Sequence, residues 1–255
     1  MNTFFLDRLN SEPHALAFAG QSTPWPVALA DQSANPALDE ALHTHAAAAQ
    51  ALLYPVSAEL LATTGRPVDL FGFEPNPARL GAAAAASASV PGIALTQLGA
   101  LLDAAALGYN PAQAKPVAVL GHSQGVLAVH MVQAICEAGS IDAAAAKIDE
   151  ILAIATLIGV AGTRQARQLG LAARHGEATP MLSVKDITRA QVDALIERVD
   201  GARGPIAVAV TNSATHYVLS GYPEDLAAFG VEVAKEHKRQ AKLREEKVRG
   251  GRVFD

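Results

Sequence analysis

The sequence predicts an α/β chain in two parts, and three observations carry that reading. A β-branched apolar run, Pro116-Val117-Ala118-Val119-Leu120, leads at once into Gly121-His122-Ser123-Gln124-Gly125 and a helix-prone stretch from Val126 to Glu137. That is strand, sharp turn, helix. Beyond Pro180 the pattern becomes strand at Met181 to Val184, amphipathic helix at Thr188 to Val199, strands at Ile206 to Val210 and His216 to Ser220, and helix at Glu224 to Lys235. This β-α-β-β-α order is a split βαβ unit, ferredoxin-like and lacking its last strand. Finally, 50% of the residues are apolar but only 5% are aromatic, so the interior is built from Ala, Val, Leu and Ile, as in helix-rich α/β packing.

The remaining elements follow in order. Residues Ala15 to Gly20 read as a short buried strand closed by the turn chemistry of Gly20-Gln21-Ser22-Thr23-Pro24. A helical region is expected from Asn35 to Thr63, ended by Gly65-Arg66-Pro67. Leu70 to Asn76 is irregular, Ala82 to Ala88 is a tightly packed linker or helix, and Pro91-Gly92 is a break before a helix from Ile93 to Leu107. After the central turn and its helix, another helix starts at Asp142 and runs into the apolar tract Ile151 to Gly162. The division expected is a large subdomain over 1–178, a small one over 179–237, and a charged linker over 238–255.

Charge and composition exclude several functions. A net charge of −5 supplies no basic field for a nucleic-acid backbone or an anionic membrane, so neither partner is expected. The single cysteine, Cys136, has no internal partner and reads as a small buried hydrophobe in a reducing compartment. The N-terminus meets Asp7 and Arg8 before an apolar core can form, unlike a secretory signal, so a cytoplasmic location is expected. Ile151 to Gly162, read as the longest charge-free apolar tract, has twelve residues, short of the ~20 that span a bilayer.

The chemistry centres on Ser123. Gly121 and Gly125, lacking side chains, let the strand turn abruptly into the helix with the serine at the apex. There the hydroxyl meets substrate, and the Gln124 N–H, in the first turn of the helix, points towards a developing oxyanion with the helix dipole behind it. The alternative is that the glycines serve only a tight turn and Ser123 caps a helix.

Together, Phe18-Ala19-Gly20-Gln21-Ser22 and Gly121-His122-Ser123-Gln124-Gly125 resemble the malonyl- and acetyl-CoA:acyl-carrier-protein acyltransferases. Val90-Pro91-Gly92-Ile93-Ala94-Leu95-Thr96-Gln97-Leu98, Leu157-Ile158-Gly159-Val160 and Thr179-Pro180-Met181-Leu182-Ser183-Val184 bring the likeness nearer to the acetyltransferase domain of type I fatty acid synthases, of the fungal and actinobacterial kind. The resemblance runs from about Leu16 to Ala234. It implies a hydrolase-like, parallel-sheet large subdomain with the ferredoxin-like subdomain inserted, Ser123 as nucleophile, and the N–H groups of Gln124 and Gln21 as the oxyanion hole. It further implies acetyl-CoA as donor, the phosphopantetheine thiol of an acyl carrier protein as acceptor, other synthase domains as neighbours, and no tightly bound cofactor or metal.

A serine needs a base, and histidine is the usual one near neutral pH. Of eight histidines, His122 adjoins the serine, His130 follows within the next helix, His14, His43 and His45 precede it, and His175, His216 and His237 flank or occupy the small subdomain. None lies in a setting like the family's catalytic histidine, which follows the small subdomain in a Pro-Phe-His type loop; the sequence stops before such a loop. His216, near a strand edge, is the remaining internal candidate, against a packed or solvated strand residue.

Acyl choice rests on Ile158. Transferases that accept malonyl resemble one another in an arginine that pairs bidentately with its carboxylate, and Ile158 occupies the corresponding position. An apolar wall disfavours a buried carboxylate by on the order of several kcal/mol, so an uncharged short acyl group is expected. Ordinary core packing is the other reading of Ile158, and Arg164, after a helix-ending Gly162, is either a substitute or a surface residue. The tract Lys235 to Arg252, with eight Lys/Arg against three acids, either meets an acidic carrier protein or is a solvated face. Competing functions are a serine esterase or thioesterase using the same elbow, and a structural segment of a multienzyme.

Overall fold

In a computed structural model, the structure describes residues 3–20, 25–47, 49, 51, 70–71, 86–168, 181–199 and 204–250. The chain divides into two compact units, residues 1–168 with 174–176, and residues 169–173 with 177–255.

The first unit contains α1 (Thr3–Ser11), β1 (Ala15–Phe18), α2 (Trp25–Ser33), α3 (36–47), α4 (Ala86–Ala106), α5 (Pro111–Ala114), β2 (Ala118–Gly121), a 3-10 turn at Ser123–Gly125, α6 (Val126–Ala138) and α7 (Ile141–Gln168). β1 and β2 pair in parallel from Ala15 opposite Ala118 to Phe18 opposite Gly121. Parallel neighbours require a long crossover, and α2 to α5 lie in it. At the far end of α6, Gly139 takes a left-handed φ of 92° and its N–H bonds to the Ile135 carbonyl. Asn110 caps α5, accepting from the Ala112 N–H at 3.0 Å, and donates through Nδ2 to the Gly139 carbonyl at 3.0 Å.

α4 is the core of this unit and packs against α2, α6 and α7. The expected break at Pro91-Gly92 does not occur, because the helix runs unbroken from Ala86 to Ala106. Proline removes one ladder bond, but residues 87–99 are all buried, and burial on every side outweighs that loss. Gly92 lies under the Trp25 indole, where an added Cβ would fall 2.5 Å from ring atoms. Ser87–Ala106 is long and apolar enough to cross a membrane and exceeds the twelve-residue tract singled out above; 72% of an 18-residue stretch within it is buried in the structure, as in the core helix of a globular protein. Leu95, Leu98, Met131, Ile135, Ile148 and Leu152 are each under 2% exposed, worth about 1.5–3 kcal/mol apiece in apolar burial.

Two further expectations change here. α7 continues past Gly162 to Gln168, so that glycine does not end the helix. Cys136 is exposed on α6 rather than buried, because the helix presents Met131, Val132, Ala134 and Ile135 to the core and turns position 136 outwards. The helical region expected over 35–63 starts as read, with α3 at residue 36; α2 is a separate helix before it, and the portion after 51 lies outside the described residues. So do Ala82 to residue 85 and most of Leu70 to Asn76.

The second unit contains β3 (Met181–Lys185), α8 (Arg189–Val199), β4 (Ala207–Ser213), β5 (His216–Ser220) and α9 (Pro223–Gly250). The β-α-β-β-α order is the one read from the sequence. The sheet order is β3-β5-β4, with β5 central and antiparallel to both neighbours, Lys185 opposite His216 and Ser213 also opposite His216. Val184, Ile187, Val192, Leu195, Leu219 and Phe229 form its separate core between sheet and helices.

Local chemistry explains the element boundaries. Thr188 and Gln191 form a reciprocal capping box at the start of α8, the Thr188 N–H donating to Gln191 Oε1 at 2.9 Å and the Gln191 N–H to Thr188 Oγ1 at 3.4 Å. The hairpin turn falls on Ala214-Thr215, where the Ser213 hydroxyl accepts the Thr215 N–H and the Tyr217 hydroxyl donates to the Ala214 carbonyl at 2.7 Å. α9 runs on to Gly250, through the stretch expected as a linker from residue 238. No proline or glycine falls between Gly230 and Gly250, and the pairs Glu232–Lys235, Glu236–Arg239 and Lys242–Glu246 brace successive turns.

Candidate active site

The site is built at the end of β2. His122 leaves the strand in extended conformation with φ −96° and ψ 127°. Ser123 then takes φ 54°, a left-handed conformation that an L-residue adopts at a cost of about 1–2 kcal/mol. The 3-10 turn closes with the Gly125 N–H on the His122 carbonyl at 2.9 Å, and α6 starts at Val126. Ser123 is thus at the apex between strand and helix, and it is exposed.

Close backbone approach dictates the glycines. A Cβ at Gly125 would collide with the Phe18 carbonyl oxygen, and one at Gly121 would fall 2.6 Å from Gly125 and Val126 backbone atoms. The turn is therefore pressed onto the end of β1, where the His122 N–H also donates to the Phe18 carbonyl at 3.0 Å. Gly20, read from the sequence as turn chemistry, has a second and tighter role. A Cβ there would lie 2.7 Å from both the His122 oxygen and the Ser123 Cβ, and 3.4 Å from the Gln124 nitrogen. Gly20 is flush against the serine and the backbone nitrogen expected to serve the oxyanion.

Gln21, the second expected donor, lies outside the described residues. The chain entering it is held, however. Gln97 of α4 donates from Nε2 to the Ala19 carbonyl, and α4 packs against the 3-10 turn. The Oε1 atoms of Gln97 and Gln124 are buried with no hydrogen-bond partner among the described residues. No role for Gln97 was read from the sequence, although an amide inside the apolar run Ile93 to Leu98 is a signal that only burial makes informative.

The histidines are engaged at scattered places. His14 bonds Tyr109 at 2.8 Å, His45 meets Asp149 at 2.7 Å, and His43 stacks on Phe71 with ring centroids 3.7 Å apart. His130 is exposed on α6, and His237 bonds the Lys185 carbonyl at 3.0 Å. His216 bonds Ser183 Oγ at 2.9 Å and meets Asn212 Nδ2 at 3.4 Å, all within the second unit. His175 lies outside the described residues.

Ile158 is 53% exposed on α7, flanked by Ile154 at 44% and Leu157 at 55%. Ordinary core packing therefore does not account for it. Arg164 is exposed further along the same helix. At Cys136, partial desolvation of the sulfur by its neighbours first and then Glu137 push the thiol up, opposite to an activated thiolate. Among the described residues, no group of three His, Cys, Asp or Glu is arranged to hold a metal.

Residues 180–255 match the family described as the fatty acid synthase central AT domain. The chain is 30% identical over 128 residues, 45% of its length, to the fatty acid synthase beta subunit hexB of Dothistroma septosporum, and spans 7% of that subunit. Its fold is like that of the malonyl CoA-acyl carrier protein transacylase from Coxiella burnetii, at 18% identity and a TM-score of 0.51, covering 88% of this chain and 58% of that one. A malonyl-transacylase solved with its type II polyketide synthase acyl-carrier protein gives a TM-score of 0.50 at 16% identity, covering 88% of this chain and 60% of that one. These matches bear out the resemblance to acyltransferases of the fatty acid synthase type.

Proposed function

We propose that this chain supplies the nucleophile elbow and the small subdomain of an acyl-CoA:acyl-carrier-protein acyltransferase in a fatty acid synthase multienzyme. The observation that carries the reading is Ser123 in left-handed conformation at the β2–α6 junction, with Gly20 flush against it. A serine held at this backbone cost, exposed and backed by a helix N-terminus, suits attack on a thioester better than it suits a cap.

In the proposed reaction the Ser123 hydroxyl attacks the acetyl-CoA thioester carbonyl, passing its proton to a base. The Gln124 N–H, joined by that of Gln21, stabilises the oxyanion. Collapse expels the coenzyme A thiol, which takes up the proton, and leaves an acetyl-serine. The phosphopantetheine thiol of acyl carrier protein then attacks that ester and restores the free serine. The base assigned by the family resemblance is a histidine in a Pro-Phe-His type loop. The same reading makes the first unit hydrolase-like, the second an inserted ferredoxin-like unit, and the setting cytoplasmic. The apolar surface of Ile154, Leu157 and Ile158 supports an uncharged acyl group.

The test is acyl-serine formation by the whole polypeptide that carries this sequence, with acetyl-CoA and malonyl-CoA, followed by mass spectrometry of the Ser123 peptide and transfer to acyl carrier protein. Acetylation of Ser123 that is discharged by the carrier thiol is the expected outcome. Discharge by water alone would mark an esterase, and no labelling of Ser123 would mark a structural segment.

A further inference from the structure

We infer that Gln97 is a positioning residue for this site, holding the Ala19-Gly20 turn against Ser123. The inference rests on the acyltransferase reading for its catalytic consequence, but its structural content is independent of it.

Three contacts define the end of β1. The Phe18 carbonyl accepts the His122 N–H at 3.0 Å, so the elbow holds one carbonyl of the strand end. The next carbonyl, of Ala19, accepts from Gln97 Nε2, a side chain reaching it from α4, seventy-eight residues away in sequence. Gly20 comes next, with room for no side chain against Ser123 and the Gln124 nitrogen. With one carbonyl tied to the elbow and the other to α4, Ala19 and Gly20 have little freedom to slide over the serine.

The stability ledger of Gln97 points to geometry as its purpose. The residue is 8% exposed among Leu95 and Leu98, each at 0%, and its Oε1 has no partner among the described residues. Half-satisfied buried amides are costly, and an apolar residue of similar size fills such a site more favourably. What an apolar residue lacks is a donor for the Ala19 carbonyl. Buried polar groups that break the packing rule without a stability gain are expected where a site must be held.

The experiment compares wild type, Gln97→Leu and Gln97→Glu in the whole polypeptide. Amide exchange of the peptide over 15–20 is read beside acetylation of Ser123. In Gln97→Leu, exchange should rise in 15–20 and not across the rest of the first unit. Acetylation should slow about tenfold to hundredfold, the size of effect expected when an oxyanion-stabilising turn is misplaced by about an ångström, with KM for acetyl-CoA unchanged. In Gln97→Glu a neutral carboxyl can donate to the Ala19 carbonyl and a carboxylate cannot. Measured against wild type at the same pH, protection and acetylation should therefore recover as pH falls. Gln97→Glu also carries the test if Gln97→Leu does not fold. Unchanged exchange in 15–20 overturns the inference whatever the activity, as does loosening spread evenly over the unit. Local loosening in a protein whose wild type never acetylates Ser123 leaves the positioning role standing and removes the acyltransferase reading instead.

Discussion

A side chain on Gly20 would place its Cβ 2.7 Å from the Ser123 Cβ, closer than such atoms approach in folded proteins. The neighbours are backbone and Cβ atoms, so no flexible side chain can yield. Gly20→Ala should therefore displace the elbow. Acyl transfer is expected to fall by at least about a hundredfold, and thermal stability to drop by about 1–3 kcal/mol as strain is absorbed. Unchanged transfer by the Ala variant, measured beside its Tm, would show that the turn and the elbow move independently.

Ser123 itself carries backbone strain. Glycine tolerates a φ of 54° and has no hydroxyl, so Ser123→Gly should abolish transfer yet raise stability by up to about 1 kcal/mol. Ser123→Ala, which keeps the Cβ and therefore the strain, should abolish transfer with no such gain. Denaturant midpoints of the two variants separate strain from the loss of the hydroxyl. Equal stability of Gly and Ala forms would place no strain at this position.

Acyl selection is tested at Ile158, which is on the surface of α7 and so can be replaced without opening a core cavity. Ile158→Arg supplies the guanidinium fork that pairs with a malonyl carboxylate. The expected outcome is a kcat/KM ratio that moves towards malonyl-CoA by at least about tenfold, at little cost in Tm. No change in the ratio would remove Ile158 from the acyl pocket.

Acid sensitivity should come in part from Glu236. Hydrogen bonds from the Arg239 guanidinium, opposed by partial burial and joined by those from Gln240 and Gln191, hold its carboxyl at about 2, below the ordinary 4.5. A depressed folded-state value means the stabilisation is fully present above about pH 4.5 and is lost as pH falls towards 2. Because the partner side chain of Arg239 is 62% exposed and so screened by solvent, it amounts to about 1 kcal/mol. Wild type should exceed Glu236→Gln by that amount at neutral pH, and the two should converge in acid. A gap that persists at pH about 2 would assign the effect to something other than the carboxylate.

The parts legible in the sequence were those set by neighbours a few residues apart. The strand-turn-helix around Ser123 follows from glycines two residues either side of it, and β3, α8 and β5 follow from alternation, an amphipathic period and β-branched runs. Short-range steric and hydrogen-bonding rules suffice for these, because every group involved sits on the same stretch of chain.

Tertiary structure decided whatever depends on residues brought together from afar. Pro91-Gly92 reads locally as a break, yet Trp25 and the helices around α4 bury it into a continuous helix. Cys136 lies in an apolar run, but which face of α6 it takes depends on where the core is. Gly20 looks like a turn residue until Ser123, a hundred positions on, is placed against it, and Gln97 looks like a stray amide until it meets the Ala19 carbonyl. The sequence alone determined that a serine is lifted to an apex. The packing of β1 and α4 around it decided what holds that apex in place, since contacts between distant segments exist only once the chain has folded.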